Sequence, residues 1–160
     1  MYALHDDIVA LATLPGKSAL SVIRVSGKNA GSIYKKITKN TRVPKANLAH
    51  TSYVYNYQVN RKIDFALLTY FKGPKSYTGE NIIEISTHGG TIIAQQLIQT
   101  IIHVGARQAM PGEFTYRAYI NGKIDLLQAE AIASIVETNN YIDSFYQLNA
   151  LNGALTKKIE

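Results

Sequence analysis

Two charges stand alone inside apolar, β-branched sequence. Arg24 is flanked by Val22, Ile23 and Val25, and Glu84 by Ile82, Ile83 and Ile85. Burying either without a partner is expensive, because a desolvated ion keeps none of its hydration energy. Two arrangements meet that cost: the charges pair with each other or face solvent at a strand edge, or they serve a polar ligand. An ionised carboxylate is acceptor-only and can receive two donors from an amino-pyrimidine edge such as a pterin's. An arginine can hold a carboxylate in a bidentate fork.

Other motifs carry less chemistry. Gly16-Lys17-Ser18 has the ending of a phosphate-binding loop, but the first glycine of G-x-x-x-x-G-K-[S/T] would fall on Leu11, and a strand-like run follows Ser18. Nucleotide binding is not expected there. His88-Gly89-Gly90 lies between a strand-like and a helix-like run, where exposed N–H groups and the helix dipole can receive an anion or a carbonyl. Two glycines at such a turn also serve as steric punctuation, and a lone histidine as a hydrogen-bonded structural residue. No Ser/His/Asp set and no paired carboxylates can be assembled, so the sequence reads as a binding module rather than a complete catalyst.

Those residues need elements to hold them. Ile8–Ala12 and Ala19–Ser26 read as two strands separated by Pro15-Gly16. Asn29–Ile37 reads as a helix and Thr38–His50 as a loop. Thr51–Gln58 and Ile63–Phe71 read as a hairpin around Asn60-Arg61, with Tyr53, Tyr55 and Tyr57 alternating onto one face. Gly73–Glu80 is turn chemistry leading into a strand over Asn81–Ser86. Ile93, Leu97, Ile101 and Val104 keep helical spacing before Gly105, and Pro111-Gly112-Glu113 opens a helix to about Ile120 with Pro111 in its first turn. From Leu126 the pattern is helical, with one stripe of Ala129, Ile132, Ala133 and Val136 and another of Phe145, Leu148, Leu151, Leu155 and Ile159.

The 160 residues, 46% hydrophobic, suffice for one core with an appendage. Cysteine is absent and His5, His50, His88 and His103 are scattered, so neither a disulfide framework nor a zinc site is expected. No apolar run has membrane-spanning length and no leader pattern is read at Met1, so no membrane association and a cytoplasmic location are expected. A formal charge of +6 suits an anionic partner such as tRNA, a polyglutamylated cofactor or an acidic protein surface. The densest basic stretch, Lys35–Lys45, is equally explained as a solvated loop.

Six segments in order resemble the N-terminal region of the MnmE (TrmE) family of tRNA-modification GTPases. They are Asp7–Thr13, Val22–Gly27, Ser76–Asn81, Ile85 with His88–Gly90, Pro111–Thr115, and Arg117–Leu126 continued by Gln128–Ala131. Where the family usually has a second proline and Gly-Arg-Gly, this chain has Leu14, Gly16, Lys17 and Ser18. The resemblance implies a homodimer-forming domain that binds 5-formyl- or 5,10-methylene-tetrahydrofolate. It implies service in modifying the wobble uridine (U34) of certain tRNAs with a flavoprotein partner of the MnmG (GidA) type. Its folate contacts fall on Arg24, Glu84 and Lys123, which turns the two lone charges into expected ligand groups. The family's GTP, Mg²⁺ and K⁺ belong to a GTPase domain that these residues lack.

The expected fold is α+β: a mixed β-sheet flanked by helices over residues 1–120, then an incomplete helical segment over 121–160. Two alternatives to a folate-binding dimerisation module are a folate-dependent one-carbon transferase and a purely structural dimerisation module.

Overall fold

The computed structural model describes residues 5–137 and Leu151. The chain divides into two compact units, Met1–Met110 and Pro111–Glu160.

In the first unit, β1 (Ile8–Leu11), β2 (Leu20–Ser26), β3 (Ala49–Asn56), β4 (Arg61–Phe71), β5 (Ile82–His88) and β6 (Arg107–Gln108) form one sheet in the order β3-β4-β5-β2-β1-β6. Only the β1–β6 pair is parallel, so the sheet is mixed, as expected. Helices α1 (Ala30–Thr38) and α2 (Thr91–His103) cover one face. Strand alternation sends Val9, Ile23, Val25, Leu68, Ile83 and Ile85 to that face, where they bury against Ile33, Ile37, Leu97 and Ile101 from the helices. The helix-spaced set Ile93, Leu97, Ile101 and Val104 keeps its stripe, with the last three buried and Ile93 at the margin.

A local device fixes where α1 begins. The buried Asp7 carboxylate accepts from the Asn29 backbone N–H at 2.7 Å and from the Asn29 side-chain amide at 2.9 Å. This places negative charge at the helix start, where the dipole favours it. Gly27 permits the approach, since a Cβ there would lie 2.3 Å from Asp7 Oδ1.

Two readings of the hairpin need correction. The strand β3 begins at Ala49, inside the expected loop, and β4 begins at Arg61, inside the expected turn. A register shift between Val54 and Tyr55, where Ile63 is the extra residue on β4, twists the hairpin, so the three tyrosines do not form one surface. Tyr53 packs on Phe65, Tyr55 lies under Lys39, and Tyr57, beyond the end of β3, faces His103.

The second unit contains α3 (Glu113–Ile120) and α4 (Leu126–Glu137). Pro111 lies ahead of α3 rather than in its first turn, because Gly112, at φ 73°, occupies the N-cap. Helix α3 holds a charge pair that the sequence reading does not single out. Glu113 and Arg117 are 0% and 1% exposed, with Arg117 Nη2 donating to Glu113 Oε1 at 3.1 Å across one turn. Helix α4 opens on a reciprocal capping box: Gln128 N–H donates to Asp125 Oδ1 and Asp125 N–H to Gln128 Oε1. Burial on α4 centres on Ala131, while Ala133 of the expected stripe is exposed. The helix is apolar almost all round, so its pattern alone does not select a buried face. In the second stripe, Leu151 is helical and half-buried; Phe145, Leu148, Leu155 and Ile159 lie outside the described residues.

Candidate functional site

Antiparallel pairing of the adjacent strands β2 and β5 puts Arg24 directly opposite Glu84. Both alternate onto the face turned away from α1 and α2, in one cross-strand row with Ala10 of β1 and Thr69 of β4. The period of two dictates this: Ile23, Val25, Ile83 and Ile85 take the core face, so Arg24 and Glu84 must take the other.

Arg24 donates from Nε at 2.9 Å and from Nη2 at 2.6 Å, and both bonds end on Glu84 Oε1. The second carboxylate oxygen, Oε2, accepts no hydrogen bond among the described residues. The two side chains are 30% and 32% exposed, so the pair is held in place and still accessible. The pairing reading holds, and it uses one carboxylate oxygen of Glu84.

Tyr77 adds an aromatic wall, with its ring centroid 5.6 Å from the Arg24 guanidinium carbon, within cation–π range. It sits on the loop between β4 and β5, anchored from beneath. Fully buried Thr78 shares a 2.7 Å hydrogen bond with Ser26 Oγ, which also donates to Glu80 Oε2 at 2.7 Å. Gly73 N–H donates to Asn81 Oδ1, closing the loop base. Sequence reasoning does not single out Tyr77; its only signal is its place within Ser76-Tyr77-Thr78-Gly79-Glu80.

Lys123 belongs to the second unit, in the turn between α3 and α4. Gly122, at φ 66°, lets the chain leave α3 in a Schellman geometry: Gly122 N–H donates to the Tyr119 carbonyl at 3.0 Å, and Lys123 N–H to Ala118 at 2.8 Å. The Lys123 backbone is thus fixed by the helix end while its side chain is exposed.

His88 takes its structural role. Its backbone N–H and Nδ1 lie 2.7 and 2.8 Å from the two oxygens of Asp64, a carboxylate only 9% exposed. Burial pushes the Asp64 pKa up, but hydrogen bonds from the His88 side chain, the His88 backbone and the Phe65 backbone outweigh it and leave the carboxyl below its ordinary value. Gly89 is steric punctuation, since a Cβ there would meet the Ser18 carbonyl oxygen at 1.7 Å. Ser18 itself leads into strand β2, not into the helix a phosphate-binding loop requires. Among the described residues no cluster of three or more His, Cys, Asp or Glu is arranged to hold a metal, and no helix is long and apolar enough to cross a membrane.

The chemistry of the donor set fits a folate head. A carboxylate on a side chain one-third exposed can accept from amino and ring N–H groups, and the Tyr77 ring beside Arg24 can pack on a flat heterocycle.

The chain is 40% identical over 159 residues to the tRNA modification GTPase MnmE of Endomicrobium trichonymphae, a match covering 99% of this chain and 34% of that relative. It is 40% identical to a protein of the same name from Thermus thermophilus, covering 98% and 37%. To that of a Sulfurovum species it is 48% identical over 137 residues, covering 86% and 30%. The chain thus spans about a third of the length of the curated relatives it matches. Residues 7–123 match the family described as GTP-binding protein TrmE N-terminus, and the chain belongs to that family.

Proposed function

We propose that this chain is a tetrahydrofolate-binding, dimer-forming module of a protein that modifies the wobble uridine of tRNA. The observation that supports the folate reading is the Glu84 carboxylate: its side chain is one-third exposed, and Arg24 occupies Oε1 while Oε2 accepts no hydrogen bond among the described residues. In this reading Glu84 receives the pterin edge and Arg24 a carbonyl or carboxylate group of the folate, while Lys123, in the second unit, is a basic contact that the family resemblance supplies. The ligand is 5-formyl- or 5,10-methylene-tetrahydrofolate, and it supplies or stores a one-carbon unit. GTP, Mg²⁺ and K⁺ are left to the family's GTPase domain. The family match, which ends at Lys123, supports treating residues 1–120 as the folate and dimer domain and 121–160 as part of a helical one.

The tRNA-modification role rests on the names of the relatives. The proposal extends to a homodimer, to an MnmG-type flavoprotein partner and to a cytoplasmic location. Apolar residues on the sheet face that carries Arg24 support self-association: Leu67 is 46% and Phe65 49% exposed.

Light scattering for mass, calorimetry for folate stoichiometry and a turnover assay, all on the purified chain with 5-formyl-tetrahydrofolate, test the module. A dimer that binds one folate per chain without turning it over is the expected result. Folate-dependent turnover would favour the one-carbon transferase instead, and a dimer indifferent to folate would favour a purely structural module.

A further inference from the structure

The charge of this chain is segregated. From Ile8 through Ile63 there is no aspartate or glutamate, against ten lysines and arginines; the rest of the chain carries seven cations against eleven acids. The first acid after the gap, Asp64, is turned inward and held by His88, so it does not offset its neighbours.

The fold gathers part of this charge at the tip of the β3–β4 hairpin. Lys39, at the end of α1, hydrogen-bonds to Asn60 Oδ1 in the hairpin turn, which ties the helix end to the tip. Arg61 and Lys62 open β4 at the same tip, and Lys36 donates to the Val104 carbonyl at the end of α2. All four cations are exposed, and among the described residues none lies within ion-pair distance of a carboxylate.

Aromatic rings sit directly beneath two of them: Lys62 Nζ is 3.8 Å from the Tyr53 ring centroid, and Lys39 Nζ 3.9 Å from that of Tyr55. Arg61 and Lys62 also border a small hollow of about 120 Å³, with Asn56 and Gln96 on its walls. Unneutralised cations beside a polar hollow have the composition of a phosphate-binding surface, and the tyrosine rings under Lys62 and Lys39 support those ammonium groups.

We infer that this tip, with the end of α1, is a docking surface for the phosphate backbone of RNA, lying on elements other than those that carry Arg24 and Glu84. The inference rests on the tRNA-modification reading only for the choice of RNA as the polyanion.

The test is fluorescence anisotropy of a labelled tRNA transcript with the full 160-residue chain across about 50 to 300 mM NaCl. Binding is expected to weaken with salt, and the double variant Arg61→Gln/Lys62→Gln to lower the log–log salt slope by roughly 1.4 to 1.8, the loss of two phosphate contacts. Lys17→Gln/Lys28→Gln, which removes equal charge elsewhere, should leave affinity and slope near the parent's. Lys39→Gln, a single exposed change, gives the same reading with about half the effect should the double variant fold poorly. No RNA binding at 50 mM salt, equal losses in both double variants, or capture by phosphatidylserine vesicles in place of RNA would overturn the inference. Calorimetry with 5-formyl-tetrahydrofolate on the same samples reports on the folate site separately, so either proposal can fail alone.

Discussion

Arg24 and Glu84 face each other across β2 and β5, with both guanidinium bonds on one carboxylate oxygen, Oε1. A pair about one-third exposed contributes little to folding, since its Coulomb attraction is screened and its side chains lose freedom. Arg24→Ala or Glu84→Ala should therefore shift the unfolding free energy by about 1 kcal/mol or less. Urea melts check this, and a loss of several kcal/mol would make the pair a structural element first.

Gly122 holds a left-handed conformation that places the Lys123 backbone at the end of α3. Gly122→Ala should cost about 1 kcal/mol of stability. If Lys123 contacts folate as proposed, Gly122→Ala should also weaken folate binding, since it disturbs the backbone that carries the lysine. Thermal melts and folate titrations of Gly122→Ala and Lys123→Ala separate strain from lost contact.

Asp64 gives a pH signature. A carboxyl whose folded value lies below its unfolded value of 3.8 contributes stability fully above that pH. The contribution disappears as pH falls through the lower folded value. Between pH 6 and 5 stability should not depend on this group; below about pH 4 it should fall more steeply in the parent than in Asp64→Asn. Urea melts at stepped pH measure the difference, and parallel curves would contradict the assignment.

Arg117 and Glu113 are buried together, so removing either takes a charge-assisted partner from the other in a desolvated place. Arg117→Ala should destabilise the chain by about 3 to 5 kcal/mol. Arg117→Ala/Glu113→Ala should recover part of that loss, a coupling that denaturant melts of the two variants can read.

Much of this was legible in the residues. Period-two patterns located β2 and β5, and because Ile23, Val25, Ile83 and Ile85 must face the core, Arg24 and Glu84 were bound to share the opposite face once the strands paired. That the strands pair in this register is a tertiary fact between residues 60 positions apart in the chain, and no local pattern carries it. The bulge opposite Tyr55 was hidden because an extra residue on one strand leaves the partner's alternation intact on paper. Tyr77 was missed since its value comes from the arginine it overlies, which its own loop does not reveal. The buried pair on α3 was missed for a related reason: Glu and Arg one turn apart ordinarily mark a solvated helix face.

The most direct test of the account is a calorimetric titration of the parent chain and Glu84→Ala with 5-formyl-tetrahydrofolate. The account predicts saturable binding by the parent and a loss of roughly 1 to 3 kcal/mol in the variant, the scale of a lost charge-assisted hydrogen bond, with the fold intact by circular dichroism. Equal affinity in the two proteins, or no heat from the parent at millimolar ligand, would contradict it.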